Sequence, residues 1–260
     1  MCRLLGIAAA TPYEFGLVLR EAPHSMAMLS HEHRDGWGVA THNGVRGYGW
    51  SVHRSVRTAD EDPEFDDEVR RARGRLLIAH VRQKTVGPIT VSNTHPFQSD
   101  EWVFAHNGTV QDVGFVTSHT SPARLAERQG ATDSELFLAY LLTQLDEAGL
   151  THAPASSGTD DVVRRAVHAA TDRCGFGTLN FLLSDGATMY VSRFGRSLHL
   201  LERSPVGREL ASEDGVVPLT ARRCVVVASE PLTDEDWTPI EQRALLRLDV
   251  GPQPHWVTIA

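Results

Sequence analysis

At 260 residues, 41% of them hydrophobic, the chain is long enough to bury a full core, and we expect one domain over residues 1–260. A formal net charge of −8 excludes a nucleic-acid partner or an anionic membrane surface as the expected partner, because both need clustered Lys and Arg. Three cysteines, no signal-peptide pattern and no long apolar run predict a soluble, cytoplasmic protein. In that setting we expect Cys174 and Cys224 to be buried structural thiols.

Cys2 directly follows the initiator methionine. Cysteine is small enough for cytosolic aminopeptidases to remove the methionine before it, which would leave a thiol and a free α-amine on one residue. An α-amine titrates at about 7.7–8, so near neutral pH it can take the thiol proton directly or through one water. The alternative is that Cys2 only opens an apolar strand over residues 4–8.

The next stretch predicts a helix followed by a loop. Thr11 as N-cap, Pro12 at the first helical position and Glu14 three residues after the cap predict a helix over residues 12–20. Residues 21–34 lack periodicity and are predicted to form a loop over a site. His31 and His33 stand two residues apart in that loop, but no ligand set follows at the usual spacing, so no metal is predicted.

Two strands, near residues 36–40 and 48–50, are predicted to pair through an Asn-Gly turn at 43–44. A helix is predicted to begin near Asp62. In the strand predicted over residues 76–81, period-two alternation places His80, Arg82 and Lys84 on one face. That pattern fits a polar site and an exposed edge strand equally well.

A strand at residues 102–105 runs into a second His-Asn-Gly triplet at 106–108, which by itself is typical of a tight hairpin turn. Thr132 to Glu135 form a capping box that opens a helix ending near Gly149. Residues 151–159 are predicted to be a loop and 160–173 a helix. Strands are then predicted at residues 179–183, 188–194, 198–202, 223–228, 245–250 and 256–259.

The strands lack long crossover helices between them, which predicts an α+β protein with mostly antiparallel sheets. Four helices, beginning near residues 12, 63, 133 and 160, are enough to cover two outer faces of those sheets.

Several motifs occur in a fixed order along nearly the whole chain. They are Met1-Cys-Arg, His33-Arg-Asp-Gly-Trp-Gly, Ala79-His-Val-Arg with Thr85 and Gly87, His95-Pro-Phe, His106-Asn-Gly, Thr132-Asp-Ser-Glu, Asn180-Phe-Leu-Leu-Ser-Asp-Gly and Val227-Ala-Ser-Glu-Pro-Leu with Trp237. This order resembles the class II, N-terminal-nucleophile (Ntn) glutamine amidotransferases, and most closely their stand-alone YafJ-like members. The resemblance implies a four-layer αββα sandwich of the Ntn-hydrolase type.

The resemblance also implies roles for particular residues. Cys2 would be the nucleophile, Arg82 would bind the α-carboxylate of glutamine with its two-donor fork, and Asp133 would hold the α-ammonium group. The Asn107 side chain and the Gly108 N–H would stabilise the oxyanion.

Two further positions, Arg34 and Thr85, would support the N-terminus and the substrate. The residue after Arg82 is Gln83, where many amidotransferases with a synthase domain carry Trp.

The implied reaction is hydrolysis of L-glutamine through a glutamyl thioester, with no cofactor and no metal. The 260 residues leave no room for an acceptor domain, so the ammonia would be released, passed to a synthase partner, or not be the true product. One alternative is a γ-glutamyl hydrolase that acts on a larger γ-glutamyl compound, as in ergothioneine biosynthesis. Another is a catalytically silent module that binds glutamine or glutamate, which would follow if Met1 were retained.

Overall fold

A computed structural model describes residues 2–45, 47–204 and 223–260. Within these residues the strands form two antiparallel sheets. The first sheet has the order β11-β9-β10-β1-β4-β2-β3, with β1 Arg3–Glu14, β2 Trp37–His42, β3 Ser51–Ser55, β4 Arg73–Val81, β9 His199–Arg203, β10 Cys224–Ala228 and β11 Thr238–Pro239. The second sheet has the order β13-β12-β8-β7-β6-β5, with β5 Phe97–Ser99, β6 Trp102–Val110, β7 Gly177–Ser184, β8 Thr188–Ser192, β12 Leu245–Asp249 and β13 His255–Thr258.

Helices cover the outer face of each sheet. Over the first sheet lie a short π-helix Leu17–Glu21, α1 Met26–Leu29, a 3-10 turn Ala59–Glu61 and α2 Pro63–Arg71. Over the second sheet lie α3 Val113–Ser118, α4 Pro122–Glu127, α5 Asp133–Glu147 and α6 Ser157–Thr171. A further 3-10 turn, Val91–Asn93, precedes β5. The expected four-layer αββα sandwich is therefore confirmed.

Alternation along β1 shows how the layers are held together. Leu5 and Ile7 pack into the apolar layer beneath the first set of helices, whereas Leu4 and Ala8 pack into a separate layer between the two sheets. Because successive side chains of a strand point to opposite faces, one strand contributes to both layers. β1 lies between β4 and β10, which places the N-terminal residues in the middle of the first sheet.

The predicted helix over residues 12–20 is wrong, because β1 continues to Glu14. Tyr13 pairs with Gly74 and Glu14 with Arg73 after a shift in register that follows Ala8. Pro12 lies within this irregularity, where the N–H that proline lacks is not needed by the ladder. Only the short π-helix Leu17–Glu21 follows.

The Asn107-Gly108 pair is not a turn, because both residues lie within β6 and pair with Asn180 and Leu179 of β7. The predicted β2–β3 hairpin forms, but its second strand begins only at Ser51.

Two predicted loops are wrong in part. Residues 21–34 contain α1, which Ser25 caps, and α6 begins at Ser157 within the predicted loop 151–159. The expectation for Cys174 is also wrong, because it is exposed in the turn after α6, whereas Cys224 is buried as expected. Met1, which belongs to the first motif, lies outside the described residues.

Gly38 on β2 approaches the backbone so closely that only glycine fits. A β-carbon at this position would lie 2.0 Å from the His95 carbonyl oxygen. We expect Gly38→Ala to lower the free energy of unfolding by about 1–3 kcal/mol or more, because backbone atoms would have to move. Urea denaturation measures this change.

The matched control is Gly49→Ala, since Gly49 is exposed and a β-carbon added there would meet no atom within 4 Å. We expect it to change the free energy of unfolding by less than about 0.5 kcal/mol. Equal effects of the two substitutions would contradict the close approach at Gly38.

Candidate active site at the polar end of the layer between the sheets

The layer between the sheets is apolar over most of its area and becomes polar at one end. Strand alternation places Cys2 on the inter-sheet face with Leu4, and Arg82 on that face with Ile78. In the same way Asn107 shares its face with Ala105. The side chains that meet at this end are Cys2, His80, Arg82, Asn107, Asn180 and Ser229.

The Cys2 thiol lies against the backbone that follows β4. Arg3 pairs with Val81, so the residue before Arg3 reaches the segment just beyond β4. There the Cys2 thiol donates to the Gln83 carbonyl oxygen at 3.2 Å, and the Gln83 N–H donates to Sγ at 3.3 Å. The pairing of β1 with β4 thus fixes the sulfur beside Arg82.

Burial raises the pKa of the Cys2 thiol, and this effect outweighs the Gln83 backbone hydrogen bond, the N-terminal charge and Arg82, which all lower it. The resting thiol is therefore neutral near pH 7. A neutral thiol is a weak nucleophile, so chemistry at this sulfur needs a base close by.

Arg82 is buried and bonded to its own loop. Its Nη2 donates to the carbonyl oxygens of Val86 and Pro88 at 3.1 and 3.2 Å, and Nη1 donates to Pro88 at 3.3 Å. Burial lowers the pKa of the guanidinium, while Cys2 and Asp35 oppose that effect. A guanidinium has five N–H donors, so these bonds leave two of them for another partner.

Asn107 and Gly108 come from β6 of the second sheet. The Asn107 Nδ2 atom lies 3.5 Å from the Ser229 Oγ atom of the first sheet. Leu179, which faces Gly108, directs its own N–H to Phe194, away from β6. In an antiparallel ladder this makes Gly108 and Leu179 a pair without mutual hydrogen bonds, so the Gly108 N–H points away from β7.

Asp133 is the first residue of α5, and the Thr132 side chain caps that helix as predicted. Its Oδ2 atom accepts a 2.6 Å hydrogen bond from the Val110 N–H. The N–H groups of Val110 and Gly108 point to the same side of β6, because they are two residues apart in one strand. Asp133 and the Gly108 N–H therefore lie along the same side of β6.

Two predicted site residues, Arg34 and Thr85, are exposed at the surface. Thr85 is exposed in the loop after Arg82, and Lys84 beside it donates its backbone N–H to Asp35. Arg34 is exposed, and its Nε atom donates to the His31 carbonyl oxygen at 2.9 Å. The described residues show no contact from Arg34 or Thr85 to Cys2, so their roles stay predictions.

His33 belongs to this end of the protein, although its sequence motif alone gave it no role there. Its ring is 3% exposed, and neither ring nitrogen makes a hydrogen bond of ordinary geometry within the described part of the chain. Burial, Arg3 and the N-terminal charge lower the pKa of His33 to about 4, against the opposing effects of Glu230 and the Gln83 side chain. The imidazole beside the N-terminus is thus neutral at pH 7.

His80 and His95 form a buried pair, with ring centroids 4.3 Å apart. Burial lowers the pKa of His80 to about 3 and that of His95 well below its usual value. Among residues 2–45, 47–204 and 223–260, no three His, Cys, Asp or Glu side chains are grouped as in a metal site.

Comparison with known proteins identifies the family. The sequence profile described as "Glutamine amidotransferases class-II" matches residues 1–258. The Escherichia coli glutamine amidotransferase homologue YafJ is 29% identical over 266 residues, which cover 92% of this chain and 94% of that protein. The gamma-glutamyl-hercynylcysteine sulfoxide hydrolase of Mycobacterium tuberculosis is 30% identical over 260 residues, covering 95% of this chain and 93% of the relative.

The glutamine phosphoribosylpyrophosphate amidotransferase of Bacillus subtilis has the same fold, with a TM-score of 0.65 at 16% identity; the match covers 99% of this chain and 49% of that one. The chain belongs to the class II glutamine amidotransferase family. The resemblance to its YafJ-like members is confirmed, and enzymes of this family use the Ntn-hydrolase fold. No helix in the described ranges is long and apolar enough to cross a membrane.

The buried histidines predict how stability depends on pH. The folded pKa of His80 is about 3 and the unfolded value about 6.5, so the unfolded chain binds more protons between these values. The contribution of neutral His80 to the free energy of unfolding is complete above about pH 6.5 and is lost as the pH falls towards 3. We expect His80→Phe to reduce the slope of unfolding free energy against pH by about 1.4 kcal/mol per unit in that window.

Denaturant unfolding at a series of pH values from 7 to 4 measures this slope. The control is His24→Gln, which replaces an exposed histidine. A slope that stays the same in His80→Phe as in the parent protein would show that His80 is protonated in the folded state.

Proposed function

We propose that this protein is an N-terminal-cysteine amidohydrolase that cleaves the γ-amide of L-glutamine. The observation that carries the proposal is the position of the Cys2 sulfur, which lies against the Gln83 backbone and next to the buried Arg82. The same end of the inter-sheet layer holds the Asn107 side chain. A thiol, a cationic clamp and an amide donor thus meet in one place.

The reaction proceeds in two acyl-transfer steps after removal of Met1. The α-amine of Cys2 takes the thiol proton, Sγ bonds to the amide carbon, and Asn107 and Gly108 donate hydrogen bonds to the resulting oxyanion. The C–N bond then breaks, and the nitrogen leaves as ammonia with the proton from the amine. Water, deprotonated by the same amine, then attacks the thioester carbon; the C–S bond breaks, glutamate leaves, and the amine returns its proton to the Cys2 thiolate.

The neutral thiol supports the assignment of an internal base. Since burial raises the pKa of the Cys2 thiol, little thiolate is present near pH 7. An α-amine on the same residue lies close enough to take the proton from that thiol.

The glutamyl part of the substrate would bind between the two sheets. Arg82 would bind the α-carboxylate through its charge and through an N–H donor that its loop leaves free, either Nε–H or the second N–H of Nη1. Asp133 would bind the α-ammonium group through Oδ1, which makes no hydrogen bond to the described residues.

A second candidate function is hydrolysis of a larger γ-glutamyl compound. It is supported by the 30% identity to the gamma-glutamyl-hercynylcysteine sulfoxide hydrolase and by the exposure of Gln83 beside the thiol. Comparing kcat/KM for glutamine with that for bulkier γ-glutamyl amides separates the two. A preference for glutamine favours ammonia release to a synthase partner, whereas a preference for the larger amides favours the hydrolase.

The nucleophile is tested by intact mass before and after treatment with 6-diazo-5-oxo-norleucine, a glutamine-shaped alkylating agent. We expect a mass lacking one methionine and a single adduct at Cys2 that glutamine blocks, because the proposed reaction makes Cys2 the nucleophile that attacks the glutamyl group. Cys2→Ala should fold, bind glutamate and show no turnover. A retained Met1 with no adduct would instead support the silent binding module.

The proposed binding of the α-carboxylate by Arg82 is tested by the substitution Arg82→Lys. Lysine keeps the charge but loses the planar fork, so we expect KM for glutamine to rise about 10-fold to 100-fold. Steady-state kinetics measure this change. Arg164→Lys, at an arginine on α6 paired with Asp161, is the control and should change KM less than about twofold. An unchanged KM in Arg82→Lys would show that Arg82 only supports its own loop.

A further inference from the structure

The two halves of the candidate site stand on different sheets. Cys2 and Arg82 directly adjoin strands β1 and β4 of the first sheet, whereas Asn107 and Asp133 belong to the second sheet and its helix layer. Apolar contacts hold the sheets together over most of their area, and such contacts have no preferred direction. Attack on an amide needs reacting atoms within about 3–3.5 Å and aligned. Something directional must therefore fix the spacing of the two halves.

Ser229, directly after β10, connects the nucleophile strand to the amide donor. Its Oγ atom accepts a 2.9 Å hydrogen bond from the Leu4 N–H, and its own N–H donates to the Leu4 carbonyl at 3.0 Å. The same Oγ atom faces the Asn107 Nδ2 atom at 3.5 Å. One buried hydroxyl thus contacts both the strand that carries Cys2 and the side chain that would bind the oxyanion.

The backbone of Ser229 is tied to the second sheet as well. Its carbonyl accepts a 2.9 Å hydrogen bond from the Ser197 hydroxyl, and the Ser197 carbonyl accepts one from Asn180 at 3.1 Å. Asn180 is the residue that pairs with Asn107 across β6 and β7. Ser229 therefore reaches Asn107 directly and also through its neighbour on β7.

The residue after Ser229, Glu230, is linked to Cys2 through the Arg3 side chain. Glu230 forms a two-contact ion pair with the Arg3 guanidinium, at 3.0 Å from Nε and 3.4 Å from Nη2. The Arg3 Nη1 atom donates to the Cys2 carbonyl at 3.3 Å. Ser229 and Glu230 together constrain the backbone on both sides of the Cys2–Arg3 peptide bond.

Asn93 makes the corresponding connection between Arg82 and Asp133, the two residues proposed to bind the glutamyl group. Its Nδ2 atom donates to the Pro88 carbonyl at 3.0 Å, and the same carbonyl accepts a hydrogen bond from Arg82. Its Oδ1 atom accepts a 2.8 Å hydrogen bond from Ala131, two residues before Asp133. Asn93 is 2% exposed, so water does not compete for these bonds.

On the basis of the function proposed above, we propose that Ser229 and Asn93 are positioning residues with separate effects. Ser229 sets the distance between Cys2 and the oxyanion donors, and therefore governs turnover. Asn93 sets the distance between Arg82 and Asp133, and therefore governs binding of the glutamyl group. Neither side chain touches the substrate.

The test measures kcat and KM for glutamine, and for the γ-glutamyl amide that the parent protein prefers, in four variants. We expect Ser229→Ala to lower kcat about 10-fold to 100-fold with KM changed less than about threefold, since small misplacements of catalytic groups cost that much. Ser229→Thr keeps the hydroxyl and should recover most of the activity. Asn93→Ala should raise KM about 10-fold or more while kcat changes less than about threefold.

Ser184→Ala is the matched control for loss of a buried serine. Its hydroxyl donates to the Thr188 carbonyl at 2.7 Å in the turn between β7 and β8, away from the site. It should lower the thermal midpoint without changing kcat or KM. Far-UV circular dichroism and thermal unfolding show whether each variant is folded. If an alanine variant is not, it is replaced by Ser229→Cys, whose thiol is a weak hydrogen-bonding group of similar shape, or by Asn93→Asp, which keeps the acceptor for Ala131 but loses the donor to Pro88, and the same changes in kcat and KM are expected.

The outcomes separate the two proposals. A parent protein without turnover on any γ-glutamyl amide would contradict the proposed function and, with it, the positioning roles. Turnover in the parent protein with an unchanged kcat in folded Ser229→Ala, or with kcat and KM altered alike in both alanine variants, would overturn the positioning roles alone.

Discussion

The site depends on the register in which β1 pairs with β4. Leu4 lies opposite His80 and Arg3 opposite Val81, so Cys2 reaches the backbone of Gln83 just where β4 ends. Because side chains alternate, a slip of one residue would turn Cys2 towards the helices and away from the second sheet. The apolar residues farther along β1 prevent that slip, since each fits only one of the two apolar layers.

The polar end of the inter-sheet layer gives the site its electrostatic character. His33, His80 and His95 are buried and neutral at pH 7, and the Cys2 thiol is also held in its neutral form. Water is largely excluded from the three histidine side chains. In such surroundings each hydrogen bond and each charge contact is stronger than in water, and each unpaired polar group is more costly. A γ-glutamyl substrate, with one negative and one positive group, would meet Arg82 and Asp133 under those conditions.

A sandwich of two sheets creates a particular problem for such a site. Each sheet is rigid because its ladder hydrogen bonds are continuous, whereas the contact between the sheets is made mainly by apolar side chains. Ser229 and Asn93 add directional bonds between the two halves at the polar end, where the apolar contacts stop. Both residues come from stretches outside the strands and α-helices, in which the backbone is free to turn towards a partner.

Much of the fold follows from patterns within a few residues. The capping residues Asp62 and Thr132 start helices where predicted, because a cap acts on N–H groups two or three residues away. Of the three polar residues that alternation predicts on one face of β4, His80 and Arg82 are buried, whereas Lys84 lies beyond the end of the strand and is exposed. The family resemblance that rests on the order of the motifs also predicts that Cys2 and Asn107 lie in one site, which no single motif predicts alone.

The sequence by itself determined the strands and helices with strong local signals, the family, and which residue types are available for chemistry. Only the tertiary structure decided the conformation of residues 12–14, which carry helix-start signals but extend β1 instead, with Tyr13 and Glu14 paired to β4. It likewise decided that Asn107 and Gly108 continue a strand and that Ser229 meets Leu4, 225 residues away. The physical reason is that caps and alternation act over two to four residues, whereas strand pairing and the burial of polar groups depend on residues distant in the chain.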